Sequence, residues 1–103
     1  MQTPTPRRAR VRNTQLILKK IYGDGPISRA DIARETRLTA PTVSDVVAEL
    51  IKSGLIEEVG LAPSTSGRRA ILLKVVDDSR QVIGIDLSRE YFRGAIANLR
   101  GQV

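Results

Sequence analysis

The side chains of this chain best equipped for chemistry are arginines and small hydroxyl residues, and they stand in four short clusters. Arg7, Arg8, Arg10 and Arg12 lie near the start, and Ser28 and Arg29 follow a Gly-Pro break. Thr39, Pro41, Thr42, Ser44 and Asp45 form the third group, and Gly67-Arg68-Arg69 the fourth. Guanidinium groups pair with phosphate oxygens, whereas short hydroxyls reach either a phosphate or a base edge. Pro41 and Ala40 offer apolar surface of the kind that packs on a thymine methyl. The chain holds no His and no Cys. That removes disulfides, thiolate zinc sites, cysteine nucleophiles and the usual neutral-pH general base. The chemistry on offer is recognition of a polyanion rather than catalysis, and no cofactor is expected.

Charge placement supports the same reading. The formal net charge is +6, from 17 basic and 11 acidic residues. Residues 1–22 hold four Arg and two Lys without an acid, whereas residues 23–60 hold four bases against seven acids. Arg68, Arg69 and Lys74 make residues 61–75 basic again, and residues 76–103 balance. Two basic pieces flanking a neutral-to-acidic body suit a surface that grips two stretches of phosphate backbone. A solvated tail and a solvated loop would give the same pattern. Aromatics are limited to Tyr22, Tyr91 and Phe92, too few for the stacking platforms of a single-stranded nucleic-acid binder. No apolar run approaches the roughly 20 residues that span a bilayer. The absence of cysteine fits a reducing cytoplasm, where a DNA-binding protein would sit at the nucleoid.

The elements that must position these clusters can be read from periodicity. Residues 1–11, with two prolines and little apolar material, are expected to form a flexible basic arm. A first helix is expected over about residues 12–22, capped by Asn13 or Thr14 and ended by Gly23-Asp24-Gly25-Pro26 through a left-handed glycine. Ser28 with Asp31 makes a capping-box-like start for a second helix reaching Thr36. Thr39 caps a third, with Pro41 in its first turn. Val43, Val46, Val47, Leu50 and Ile51 there form one apolar stripe. Lys52-Ser53-Gly54 closes it. The period then changes to that of strands, at residues 55–60 and 70–76, joined by a Pro/Ser/Thr loop ending in Gly67-Arg68-Arg69. After a polar break at residues 77–81, two further strands are expected at 82–87 and 91–97.

Helix, helix, short turn, helix, hairpin is the order of a winged helix-turn-helix, an α+β fold that is mainly α with a β-hairpin wing. In that geometry the third helix enters the major groove N-terminal end first. It presents Thr39, Pro41, Thr42, Ser44 and Asp45 and, further along, Ala48, Glu49 and Lys52, and Ser28 and Arg29 at the start of the second helix are further DNA-binding candidates. No Arg or Asn stands early in the third helix, so modest base readout and shape fit are expected from it. A Gly67-Arg68-Arg69 wing tip suits the minor groove, where negative potential favours Arg. The arm arginines, with Lys19 and Lys20, would add phosphate contacts.

Several runs together resemble the ROK family (repressors, open reading frames and sugar kinases), on its repressor branch. They are Asn13-Thr14, Ile27-Ser28-Arg29-Ala30-Asp31-Ile32-Ala33, Leu38-Thr39-Ala40-Pro41-Thr42-Val43-Ser44 and Leu50-Ile51-Lys52-Ser53-Gly54-Leu55-Ile56-Glu57-Glu58. Ser66-Gly67-Arg68-Arg69, Ile83-Gly84-Ile85-Asp86 and Leu99-Arg100-Gly101-Gln102-Val103 complete the set. The expected organisation is then a flexible arm (1–11), a winged helix-turn-helix DNA-binding domain (12–78) and, as the resemblance implies, the opening β-hairpin of a truncated actin-like domain (79–103). The resemblance also implies double-stranded DNA as partner, a homodimer in the full-length protein, and a sugar or sugar-phosphate effector held by the absent domain. Kinase members carry a glycine-rich phosphate turn after the aspartate. Here Asp86 is followed by Leu87-Ser88-Arg89-Glu90, so Asp86 is expected to be structural. Two other classes remain open: a fragment of a carbohydrate kinase, and a winged helix used for protein contact through Glu57 and Glu58.

Overall fold

A computed structural model describes residues 5–63, 69–87 and 92–103. In chain order the elements are α1 (Pro6–Asp24), β1 (Ile27–Ser28), α2 (Arg29–Thr36), α3 (Ala40–Lys52), β2 (Ile56–Pro63), β3 (Arg69–Val75), β4 (Val82–Leu87) and β5 (Phe92–Ala97). Three helices pack on a small antiparallel sheet of order β1-β3-β2, and β4 and β5 pair separately. This is the winged helix-turn-helix arrangement, with β2 and β3 as the wing.

The first helix corrects the expectation of a flexible arm. It begins at Pro6, so Arg7, Arg8, Arg10 and Arg12 all stand on ordered helix. Thr5 caps it, its hydroxyl accepting from the Arg8 amide at 3.2 Å. Pro6 occupies the first turn, where a missing N–H costs nothing. The expected caps lie inside the helix, and the Thr14 hydroxyl donates back to the Arg10 carbonyl at 2.9 Å. The helix also ends differently. Gly25 has φ −68°, not a left-handed angle, and its amide donates to the Ile21 carbonyl at 2.9 Å. Glycine is needed there for closeness, because an added Cβ would collide with the Ile21 carbonyl oxygen.

Strand β1, too short to show a period, was not expected. Ile27 pairs with Leu73 and Ser28 with Leu72, which seats the start of α2 against the sheet. Along β2 the register shifts between Glu58 and Gly60, and Gly60 has φ +138°. That conformation favours glycine.

Eleven apolar residues form the core: Ile17, Ile21, Ile27, Ile32, Val43, Val46, Val47, Leu50, Ile56, Leu73 and Val75. All are aliphatic, as the scarcity of aromatics requires. The α3 stripe supplies four of them, while Ile51 is only partly covered. Ala30 stays exposed and Ala33 is half-buried. Val75 is the last of the eleven, and beyond it Leu99 packs against them from outside.

Residues 98–102 return to the helical body. Leu99 packs against the core, and its amide donates to the Asp77 carbonyl at 2.9 Å. The Tyr22 hydroxyl donates to the Leu99 carbonyl at 2.9 Å. Arg100 lies over the Tyr22 ring, 4.1 Å from its centroid, and donates to the Tyr22 carbonyl at 2.9 Å and to Asp77 at 3.0 Å. The polar stretch after Val75, expected to separate two units, therefore anchors the exit of the hairpin.

Candidate nucleic-acid interface

The helix-turn-helix is set by two caps and one unusual backbone angle. The Ser28 hydroxyl accepts from the Asp31 amide at 3.2 Å and starts α2. Ser28 is also buried, with 6% of its surface exposed. Its hydroxyl therefore faces the α2 backbone and not the exposed surface on which a DNA contact is expected. Arg37 ends α2 at φ 60°, ψ 23°, the one left-handed non-glycine among the described residues. Such a residue costs about 1–2 kcal/mol relative to a right-handed one. Two residues later Thr39 caps α3: its hydroxyl accepts from the Thr42 amide at 3.3 Å and donates to the Thr42 hydroxyl at 2.9 Å.

With Val43, Val46, Val47 and Leu50 turned inward, the opposite face of α3 is open. Thr39, Pro41, Ser44 and Asp45 are exposed, and Thr42 is half-buried. The structure thus brings five expected residues onto the first two turns of one helix, with Arg37 in the turn before it. Arg37 was missed in the sequence. Its exposed position beside an N-cap is the signal, but the left-handed angle that marks it is visible only in the structure.

The charges sort into two groups. Of the seven acids between residues 23 and 60, five are in ion pairs. Arg10 meets Glu49 of α3 at 2.7 Å. Lys20 meets Asp24 at 2.5 Å and Glu35 of α2 at 3.3 Å. Arg29 meets Glu58 at 3.0 Å, and Arg34 meets Asp31 at 3.0 Å. The hydrogen bond to Asp24 is the main reason the Lys20 ammonium titrates above its ordinary value, with Glu35 adding to it. Two expected phosphate contacts, Arg10 and Lys20, and the DNA-binding candidate Arg29 are therefore already paired within the fold.

Arg7, Arg8, Arg12, Lys19, Arg37, Lys52 and Arg69 have no acidic partner among the described residues. On α1 the division follows helical geometry. Arg10, Thr14, Ile17 and Ile21 share one face at spacings of four, three and four. Arg8, Arg12, Gln15 and Lys19 repeat that spacing two residues away, about 200° around the helix. Arg69 opens β3 opposite Pro63 and is exposed. Gly67 and Arg68 lie outside the described residues, as does the turn after Leu87. Among the described residues no cluster of metal-ligating side chains occurs, and no helix is long and apolar enough to cross a membrane.

Comparison with known proteins bears on this arrangement. A family model described as winged helix-turn-helix DNA-binding matches residues 11–57. The chain is 41% identical over 91 residues to a xylose repressor of Caldicellulosiruptor bescii, covering 88% of this chain and 23% of that protein. It is 38% identical over 77 residues to the DNA-binding transcriptional dual regulator NagC of Escherichia coli, covering 75% of this chain and 19% of NagC. Among solved structures, a ROK family transcriptional regulator, a homologue of the E. coli MLC protein, superposes with a TM-score of 0.72 at 27% identity. That match covers 90% of this chain and 24% of the other. The chain spans about a quarter of the length of the xylose repressors it matches.

Proposed function

Since this chain is a winged helix-turn-helix module of the ROK regulator type, we propose that it binds double-stranded DNA as the recognition part of a transcriptional repressor of sugar-related genes. The observation that carries the reading is the open face of α3. Thr39, Pro41, Thr42, Ser44 and Asp45 stand there on a helix whose other side is fully committed to the core. Its N-terminal end enters the major groove, where Thr42 and Ser44 donate to phosphate or base edges and Pro41 packs on a thymine methyl. Arg37 clamps a phosphate beside the α3 N-terminus, which gives a purpose to its costly backbone angle. Arg7 and Arg8 at the free end of α1 add backbone contacts, with Arg12 and Lys19 contributing to the positive field. On the wing, Arg69 and its sequence neighbours Gly67 and Arg68 occupy the minor groove. The names of the relatives support a sugar-linked role. We place this module in a cytoplasmic, non-enzymatic homodimer whose remaining length holds a sugar or sugar-phosphate effector.

The test is selection of bound duplexes from a random pool at physiological salt, with the chain and its Arg68→Ala, Arg69→Ala variant. Enrichment of a motif that the variant loses is the expected result. Absence of any salt-dependent duplex binding by the unaltered chain overturns the reading. Anisotropy titrations sharpen it, because each phosphate contact adds about −0.9 to the slope of log affinity against log salt. Arg7→Ala with Arg8→Ala should flatten that slope.

A further inference from the structure

Arg10 was grouped with the phosphate-binding arginines by its place in the sequence, and the structure separates it from them. It stands on the inward stripe of α1, two turns before Ile17. Its guanidinium meets Glu49 of α3 through Nη2 at 2.7 Å, and its Nε is buried without a hydrogen-bond partner. Arg8 and Arg12, on the opposite face, have no such engagement. The hydrogen bond to Glu49 holds the guanidinium above its ordinary pKa, and the charges of Glu49 and Asp45 add to this. Arg10 is therefore directed at Glu49 of the one helix that must approach phosphate, with the charge of Asp45 acting on it from a distance.

Those acids pose a physical problem for DNA binding. Residues Ala40 to Lys52 carry Asp45 and Glu49 against Lys52 alone, so the helix taken alone is repelled by the backbone it enters. We infer that Arg10 is a counterion built into the fold for the recognition helix, neutralising Glu49 and offsetting Asp45, rather than a residue that grips DNA. This rests on the DNA-binding reading above. Arg10 is thus a positioning residue: it acts through Glu49, and it fixes the N-terminal turns of α1 beside α3.

The distinction is measurable because a counterion becomes dispensable when the acid is removed, whereas a phosphate contact does not. Binding of the chain to a fluorescein-labelled duplex of mixed sequence would be followed by anisotropy across a salt series. Arg10→Ala should weaken binding roughly fivefold, the weight of one bared unit charge a few ångströms away in a high-dielectric medium. Arg10→Ala combined with Glu49→Gln should return the affinity to within about twofold of the unaltered chain, with its salt slope restored. The charge-swapped pair, Arg10→Glu with Glu49→Arg, should do the same. Circular dichroism of each variant confirms that the helices are retained. A double variant as weak as Arg10→Ala, with a slope shallower by about 0.9, makes Arg10 a phosphate contact and overturns the inference. An Arg10→Ala variant that binds like the unaltered chain overturns it as well. Loss of binding by the unaltered chain itself is a different failure: it removes the DNA-binding reading and this assignment with it.

Discussion

The helical body and the β4–β5 hairpin solve the same problem with different success. Between Ile17 and Val75, three helices and three strands close over eleven apolar side chains. Between Val82 and Ala97, two strands pair in register from Val82–Ala97 to Leu87–Phe92. There Ile83 is 70% and Ile85 66% exposed, and Val82 and Ile96 are more than half exposed. Backbone pairing alone builds a ribbon, whereas stability requires a second layer to receive its side chains. The hairpin is held to the body at its ends instead, through Leu99, Arg100 and Arg80, whose guanidinium donates to the Ser53 carbonyl at 3.1 Å. The body is thus a stable platform for the α3 face, and the hairpin is an appendage whose apolar surface is left open.

The largest effect is expected from damage at the centre of the body. Leu73 is fully buried on the middle strand of the sheet, between Ile27 of β1 and Glu58 of β2. Leu73→Ala should lower the unfolding free energy by about 2–5 kcal/mol, enough to unfold much of a domain of this size. Denaturant titration measures it. A loss below about 1 kcal/mol would mean that the core repacks around the site, and the contrast with the hairpin would weaken.

A smaller effect is expected where the body meets its candidate interface. Ser28→Ala removes the α2 cap and leaves the Asp31 amide without its partner, at a cost of about 1 kcal/mol. If Ser28 only orients α2, DNA affinity of the folded variant should stay within about twofold, whereas a lost direct contact at a base edge would cost about 1–3 kcal/mol. Anisotropy at a temperature where the variant remains folded separates the two.

Much of this division was legible beforehand. The α3 stripe, the capping residues Ser28 and Thr39, and the strand runs are local patterns. Periodicity and end chemistry report local patterns well. The start of α1 was equally present as Thr5-Pro6, but the density of arginine and proline there outweighed a two-residue cap signal. What stayed hidden was non-local. Arg10 and Glu49 are 39 positions apart, and nothing in either neighbourhood marks them as partners. Tyr22 and Leu99 are 77 apart. Strand β1 exists only because β3 lies beside it, since two residues have no period of their own. Charge grouping along the sequence therefore could not show that Arg10 and Lys20 are paired, because Glu49 and Glu35 lie on other elements and Asp24 one helical turn away.

A smaller effect than that of Leu73→Ala is expected where the two regions are joined. Arg100→Ala removes the guanidinium from the Tyr22 ring and from Asp77. An exposed cation–π contact contributes about 0.5–1 kcal/mol and an exposed ion pair up to about 1 kcal/mol, so the body should lose no more than about 2 kcal/mol. The hairpin should respond more strongly, because this contact helps fix its exit. Hydrogen exchange should show amides of β4 and β5 losing protection while those of β3 keep theirs. Equal loss in both sheets would show that they unfold as one unit.

The smallest effect is expected on the hairpin itself, and it tests the premise of the whole contrast. Ile83→Thr keeps a β-branched side chain suited to a strand while removing apolar surface at a position that is 70% exposed. Surface substitutions of this kind change stability by less than about 0.5 kcal/mol, so thermal unfolding of the chain should be unaltered. A clear loss, above about 1 kcal/mol, would mean that Ile83 is covered in solution. Concentration dependence of the melting temperature would then identify a second copy as the cover, because self-association makes apparent stability rise with protein concentration. The exposed edge of the two-stranded ribbon is where such a copy would pair. An unchanged, concentration-independent melt instead leaves the apolar face open on the isolated chain, as the difference in burial between the two regions requires.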